Sequence, residues 1–273
     1  MTHFIEIYDD SLPEWGRGMR LPAQVVSEIF ANPIKAIDFA RAVVGKYERG
    51  EKANEYYKIM DGHKFLLKID EKNQAMKEIL DNMLLIGEYE PYSTKLVKEI
   101  VKEGDVAVDI GASIGHFTML LARQVGKTGK VYSIEPTNNQ FPYLLENIKA
   151  NGYEDRVEAL QIAAWDKNEI VKPQVNAGHE GEIQGRVLDD LLPERVDFVK
   201  MDTDGAEPRV LKGLEKTIER NPQLQMVIEY YPKYVQNLGG RIEDVDEILD
   251  KYFIKEKIGD YGETYWNYYC KHR

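Results

Sequence analysis

The chain has 273 residues, of which 43% are apolar, and 36 basic against 47 acidic side chains give a formal net charge of −11. That apolar content supports a real core and excludes a disordered chain, and a surface this acidic is a poor partner for phosphate backbones or anionic membranes, which attract Lys/Arg-rich faces. The single cysteine, Cys270, excludes an internal disulfide and a Cys-based zinc site.

The N-terminal Met1-Thr2-His3-Phe4-Ile5-Glu6 has neither a basic region nor an apolar one, so no secretory signal is expected. No apolar run approaches the ~18 residues of a membrane span, and a cytoplasmic protein is expected. Residues 1–90 read as a mainly helical N-terminal extension, a substrate or lid region, and residues 91–273 as the main domain. Within the extension, residues 31–44 carry Pro33 in a first turn and then Ile34, Ile37, Val43 and Val44 on one broad face, which predicts a helix. Residues 64–69 (KFLLKI) predict a strand, and 73–85 return to helical spacing.

From residue 101 strands and helices alternate. Strands are predicted at 105–110, 130–134, 156–164, 196–201, 224–229, 252–257 and 265–271, and helices at 115–125, 139–150, 207–220 and 241–251. Asn151-Gly152 is a helix stop. This alternation implies right-handed βαβ units and a parallel sheet covered on both faces. A ligand then sits beyond the carboxyl ends of the strands, where the strand order reverses.

The first strand–helix junction reads Asp109-Ile110-Gly111-Ala112-Ser113-Ile114-Gly115-His116-Phe117. Gly111 and Gly115 lack Cβ atoms, so a ligand can approach the backbone, and the following helix would present N–H groups. A dinucleotide fingerprint wants G-x-G-x-x-G; here the pattern is D-x-G-x-x-x-G. Asp109 would repel a pyrophosphate and suits a cationic ligand such as an α-ammonium group. Glu135, twenty residues past Gly115 at the end of the next strand, can accept hydrogen bonds from both hydroxyls of a ribose.

Four stretches now carry a resemblance: DIGASIGHF at 109–117, VYSIEP at 131–136, ENIKANG at 146–152, and KMDTDGAE at 200–207 followed by VLKGL at 210–214. Together they resemble the class I S-adenosylmethionine-dependent methyltransferases and, within these, the FkbM family of O-methyltransferases. The likeness runs from about Gly87 to Glu229. Ser113 stands where Asn is common, and Asp204 where Glu is common. The resemblance implies an α/β fold: a Rossmann-like, seven-stranded, mostly parallel sheet with helices on both faces. It also implies roles. Asp109, Gly111, Ala112 and Gly115 would line the methionine portion of S-adenosylmethionine, Glu135 would hold the ribose, and Ala163 would lie beside adenine. Asp202 would face the sulfonium and the acceptor, and Glu90, in GEYEP, would help cover the cofactor.

Methyl transfer to a hydroxyl needs orientation, a dry pocket and a base for the acceptor's proton. Carboxylates at strand ends are Asp202, Asp204, Glu207 and Glu229, with Asp202 and Glu229 the preferred catalytic pair; His116 and His179 are further candidates. His116 otherwise points to solvent from a first helical turn, and Glu207 otherwise complements a helix dipole. No H-x-H or dense Asp/Asn pattern calls for a metal, and none is expected. The chain holds 17 tyrosines. Tyr56-Tyr57, Tyr89, Tyr92, Tyr230-Tyr231, Tyr234 and Tyr268-Tyr269 form either a carbohydrate-stacking wall or ordinary half-buried packing. The leading expectation is O-methylation of a small molecule or saccharide, with no nucleic-acid or membrane partner. N-methylation, a non-catalytic cofactor-binding subunit and a nicotinamide-dependent oxidoreductase are the alternatives. The net charge opposes the first where the acceptor is a nucleic-acid base, and the departure from G-x-G-x-x-G opposes the last.

Overall fold

The computed structural model describes residues 4–7, 19–22, 47–49, 55–60, 62–68, 90–171, 182–259 and 265–273. The chain divides into two units, Met1–Glu88 and Tyr89–Arg273. In the first, β1 (Phe4–Ile7) pairs antiparallel with β2 (Met19–Pro22), and β3 (Tyr47–Arg49), β4 (Glu55–Met60) and β5 (His63–Lys68) form an antiparallel sheet in that order. The strand expected at 64–69 is thus present one residue earlier. The described elements of this unit are strands; aromatic and β-branched residues in EYYKIM suit a pleated ladder. The helices expected at 31–44 and 73–85 lie outside the described residues.

The second unit runs α1 (Pro91–Ile100), β6 (Val106–Ile110), α2 (His116–Val125), β7 (Lys130–Ile134), α3 (Phe141–Ala150), β8 (Val157–Leu160), β9 (Ala163–Ala164), β10 (Glu169–Val171), β11 (Ile183–Arg186), β12 (Phe198–Met201), α4 (Glu207–Arg220), β13 (Gln225–Tyr230), α5 (Pro232–Asn237), α6 (Ile242–Tyr252), β14 (Phe253–Ile258) and β15 (Trp266–His272). Seven strands form one sheet in the order β14-β15-β13-β12-β6-β7-β8. Only β15 runs against its neighbours. The chain winds outward from β6 through β7 to β8, then returns to the other side of β6 with β12 and β13. The switch point therefore falls between β6 and β12, and the Rossmann-like fold is the one the sequence implied.

The expected strand at 156–164 is two pieces. β8 stays in the main sheet, whereas β9 leaves it and pairs in parallel with Gly185 and Arg186 of β11. Beyond the expected set lie α1, with Pro91 in its first turn and Val97 as its buried contact, the short α5, and the strands β10 and β11.

Alternation along the central strands sorts the site from the core. Val108, Ile110, Val199, Met201, Met226 and Ile228 join Val210, Leu211 and Leu214 of α4 and Val245 and Leu249 of α6 in one buried cluster. Each such side chain contributes about 1.5–3 kcal/mol on burial. The intervening positions, Asp109, Lys200 and Glu229, therefore face the opposite side of the sheet, the side on which Thr118 of α2 bonds to Asp109. Lys200 pairs in register with Asp109 and Val227. Polar residues thus collect at the carboxyl end of one face while the other face stays apolar.

Candidate active site

The turn after β6 is built by the protein around itself. Gly111, at φ 82°, lies so close to the start of the 202–205 turn that a Cβ would stand 1.7 Å from the Asp202 carbonyl oxygen. At Gly115, φ 98°, a Cβ would meet Leu144 of α3 at 2.8 Å. The space of each missing Cβ is taken by the protein's own atoms, so a close approach within the chain itself requires glycine at both positions. The turn amides are also engaged. Gly111 and Ala112 N–H donate to the Ile134 carbonyl at 2.9 Å each, and Gly115 N–H donates to the Ala112 carbonyl at 2.8 Å.

Ser113 N–H donates to Glu135 Oε2 at 2.7 Å, and Thr137 N–H donates to Oε1 at 2.8 Å. Glu135 is buried; burial pushes its carboxyl above the usual range, against the pull of the Thr137 and Ser113 bonds. Thr137 adds a side-chain hydrogen bond to Glu135, so the acceptor capacity left over is on the oxygen that Ser113 holds. Asn139, in the turn that follows, has a buried Oδ1 without a hydrogen-bond partner among the described residues.

Asp109 is buried, 2% exposed. Thr118 Oγ1–H donates to its Oδ2 at 2.6 Å, and the same hydroxyl lies 2.5 Å from Ser133 Oγ. Desolvation pushes the Asp109 carboxyl up to about 6, although the Thr118 bond and the Lys200 charge oppose the rise.

On the β12 side, Lys200 is 1% exposed. Its Nζ lies 3.5 Å from Glu90 Oε1, 3.7 Å from Asp202 Oδ2 and 4.8 Å from the centre of the Phe117 ring. Burial works against its charge, but the carboxylates around it, Glu90 first, raise its pKa overall. Glu90 is held from a second side, because Asn267 Nδ2–H donates to Glu90 Oε2 at 2.8 Å. Asn267 is also the register partner of Glu229. Oxygens of Asp202, Asp204 and Glu229 lie within 4.8 Å of one another. Desolvation first, and then the Asp202 charge with which Glu229 shares a hydrogen bond, hold the Glu229 carboxyl far above its ordinary value. Asp204 rises to about 6 for the same two reasons, loss of solvent and the Asp202 charge.

Among the described residues, the non-glycine residues with left-handed backbone are Glu90 (φ 42°), Ser113 (φ 52°) and Asp204 (φ 51°). All three belong to this site. Such conformations cost free energy and persist where surrounding contacts impose them.

The structure therefore brings Glu90, Asp109, Lys200, Asp202, Asp204 and Glu229 to one end of the sheet, with Glu135 clasping the glycine turn. Ala163 stands apart, beyond the end of β8 on β9. Glu207 closes the turn that carries Asp204. Its Oε1 accepts from Thr203 N–H and Oγ1–H at 3.0 and 2.8 Å and from Gly205 N–H at 3.3 Å. His116 does not face solvent; it is buried, with Nε2 3.3 Å from Thr94 Oγ1 and its ring edge-on to Phe117. His179 lies outside the described residues. Lys200 is the residue sequence reasoning missed. Its signal was present as the first letter of KMDTDGAE, two residues before Asp202 and so on the same face.

The tyrosines divide between both readings. Tyr230 donates its hydroxyl to Asp246 and stacks on Trp266, which is packing. Tyr268 meets Tyr230 edge-on, and Tyr269 bonds to Gln225. Tyr231, by contrast, stacks on Tyr234 at 3.9 Å and on Tyr265 at 5.3 Å, with all three rings partly exposed. Loss of solvent raises the Tyr265 hydroxyl, and after it the charges of Glu229 and Glu90. The stack therefore borders the acidic end of the sheet. Tyr92 is exposed; Tyr89 and the side chains of Tyr56 and Tyr57 lie outside what is described.

The methyltransferase FkbM domain family matches residues 109–257 of this chain. Among solved structures, an FkbM methyltransferase from Methylobacillus flagellatus KT is similar at 19% identity, covering 72% of this chain and 54% of that one, with a TM-score of 0.48. A SAM dependent methyltransferase from Aquifex aeolicus is 24% identical over 66% of this chain and 89% of its own, with a TM-score of 0.42. An rRNA methylase from Streptococcus thermophilus is 14% identical over 66% and 93%, with a TM-score of 0.47.

Proposed function

The chain belongs to the FkbM methyltransferase family, and on that footing we propose that it methylates a hydroxyl oxygen of a small molecule or saccharide. It is a methyltransferase, and its cofactor is S-adenosylmethionine. When bound, that cofactor supplies an electrophilic methyl on a sulfonium, which leaves the protein to bind, orient and move a proton. The residues present fit it. Glu135 is a buried carboxylate with acceptor capacity left on the oxygen that Ser113 holds, suited to a ribose hydroxyl, and among the described residues the buried Asn139 Oδ1, four residues on, has no donor. Asp109 lies beneath the glycine turn on the face that carries Lys200 and Glu229. Asp109, Gly111, Ala112 and Gly115 would shape the wall of the methionine portion, Ala163 would border the adenine, and Glu90 and Asp202 would flank the sulfonium side.

The observation that carries the O-methyl reading is the carboxyl pair Asp202 and Glu229 beside the stacked Tyr231, Tyr234 and Tyr265. A hydroxyl acceptor needs a base at hydrogen-bond distance, and the pair supplies one. Tyrosine rings give a polyhydroxylated ligand an apolar face to lie on and hydroxyls to meet. The net charge of −11 disfavours a polyanionic acceptor. Among the described residues no helix is long and apolar enough to cross a membrane.

The test is product analysis with methyl-labelled cofactor and a panel of sugars, glycosides, amines and RNA. O-methylated products from the hydroxylated acceptors, lost in Asp202→Ala, are expected. Label transferred only to nitrogen or to RNA overturns the O-methyl reading and leaves the methyltransferase assignment standing.

A further inference from the structure

Lys200 is the most deeply buried charge in the described part of the second unit. Among the described residues its Nζ has no hydrogen-bond acceptor. Among the described residues it has ion pairs with Glu90 and Asp202, and none with Glu229. A lysine loses much of its hydration on burial, and an arrangement that sustains the charge needs carboxylates close by. Here they come from every element around it: Glu90 at the start of α1, Asp109 on β6, Asp202 after β12 and Glu229 on β13. The Phe117 ring of α2 closes the remaining side.

We propose that Lys200 is a positioning residue that fixes how charge divides across the Asp202–Glu229 pair. Its ammonium keeps Asp202 a carboxylate, Glu229 carries the proton, and Asp202 is the base. Two carboxylates in contact cannot both stay ionised at little cost, so one proton resides on the pair. Geometry decides which member holds it. Asp202 has the cation at 3.7 Å, whereas Glu229 has no ion pair with that cation and has Asp202 as its hydrogen-bonding neighbour. A protonated Glu229 donates to Asp202 and leaves the other Asp202 oxygen free to face an acceptor; Asp202 is the more exposed of the two carboxylates paired with Lys200. In the transfer, which rests on the O-methyl reading above, a bond forms between the acceptor oxygen and the methyl carbon. The carbon–sulfur bond breaks with its electron pair going to sulfur, and the hydroxyl proton passes to Asp202.

The charge division is measurable without acceptor or cofactor, by infrared spectroscopy of the carboxylic-acid carbonyl stretch in the full chain at pH 7. The wild-type band is expected to lose its main component in Glu229→Gln, down to the minor part that Asp109 and Asp204 supply, and to keep that main component in Asp204→Asn. In Lys200→Met, Asp202 also takes a proton and the band grows by about twofold, as expected for a pair filling its second site; Lys200→Arg restores the wild-type amplitude. Should Lys200→Met fail to fold, Glu90→Gln carries the test. It removes a competing carboxylate from the ammonium, so the second proton is expected to bind at lower pH than in wild type. A band undiminished in Glu229→Gln, or one indifferent to both the Lys200 and Glu90 substitutions, overturns the proposal. Calorimetry with S-adenosylhomocysteine on the same proteins reports on the cofactor site independently, so failure of the charge division and failure of the methyltransfer reading are distinguishable.

Discussion

The Cβ position that Gly111 leaves empty is taken by the carbonyl of Asp202: a methyl group there would stand 1.7 Å from its oxygen. This contact pins the end of β6 to the end of β12, where Asp202 N–H already donates to the Ile110 carbonyl at 2.9 Å. The required φ of 82° adds a second reason for glycine. Gly111→Ala is therefore expected to lose about 3 kcal/mol or more of stability, the range of a backbone-level clash combined with a disfavoured φ. Urea unfolding measures the loss. Because the clash pushes Asp202 itself, a folded variant should also lose activity by more than its stability loss explains.

Asp109 makes stability pH-dependent in an unusual direction. Its folded pKa, raised from 3.8 to about 6 chiefly by burial, means that the folded state binds the proton more tightly than the unfolded chain. Stability then falls as pH rises through the window from about 4 to 6. The shift corresponds to a contribution on the order of 3 kcal/mol at most. Asp109→Asn removes the titration. The expected result is a variant whose stability, relative to wild type, improves as pH goes from about 4 to 7. A constant difference across that range would show that Asp109 titrates alike in the folded and the unfolded chain.

Glu135 is a joint between turn and ligand. Its two oxygens hold the N–H groups of Ser113 and Thr137, and hydrogen bonds to a charged acceptor are worth about 1.5–3 kcal/mol each. Glu135→Gln keeps the shape but turns one acceptor into a donor, which faces an N–H. S-adenosylhomocysteine affinity is expected to fall by about 10- to 100-fold, the equivalent of one such bond, with a smaller fall in melting temperature. Isothermal calorimetry and a thermal melt on the same sample separate the two. Unchanged affinity would move the ribose away from Glu135.

Much of this was legible in the sequence because it was local. DVAVDI, KVYSI, VDFVKM and MVIE read as buried strands from composition alone, and the acidic residues at their ends landed together because parallel strands share a carboxyl end. What was not legible depended on partners distant in sequence. Nothing in GASIG shows that its missing Cβ atoms face Asp202 and Leu144. That Lys200 is buried among carboxylates follows only once β12 is known to lie between β6 and β13. His116 looks exposed until α1, whose Thr94 it meets, is recognised as a helix. The split of 156–164 into β8 and β9 depends on Gly185 and Arg186, well downstream in the chain.

Ser113 provides the remaining prediction. Its backbone sits at φ 52°, a conformation that costs most residues about 1–2 kcal/mol and Asn distinctly less. The strain persists because Ser113 N–H is committed to Glu135 and the turn is closed on both sides by the Gly111 and Gly115 contacts. Asn is also the residue the family resemblance places there. Ser113→Asn leaves the amide in place and relieves part of the left-handed cost, so the variant is expected to gain about 0.5 kcal/mol. The midpoint of urea unfolding reads the gain. A loss instead would mean that the Ser113 side chain has a contact worth more than the backbone relief.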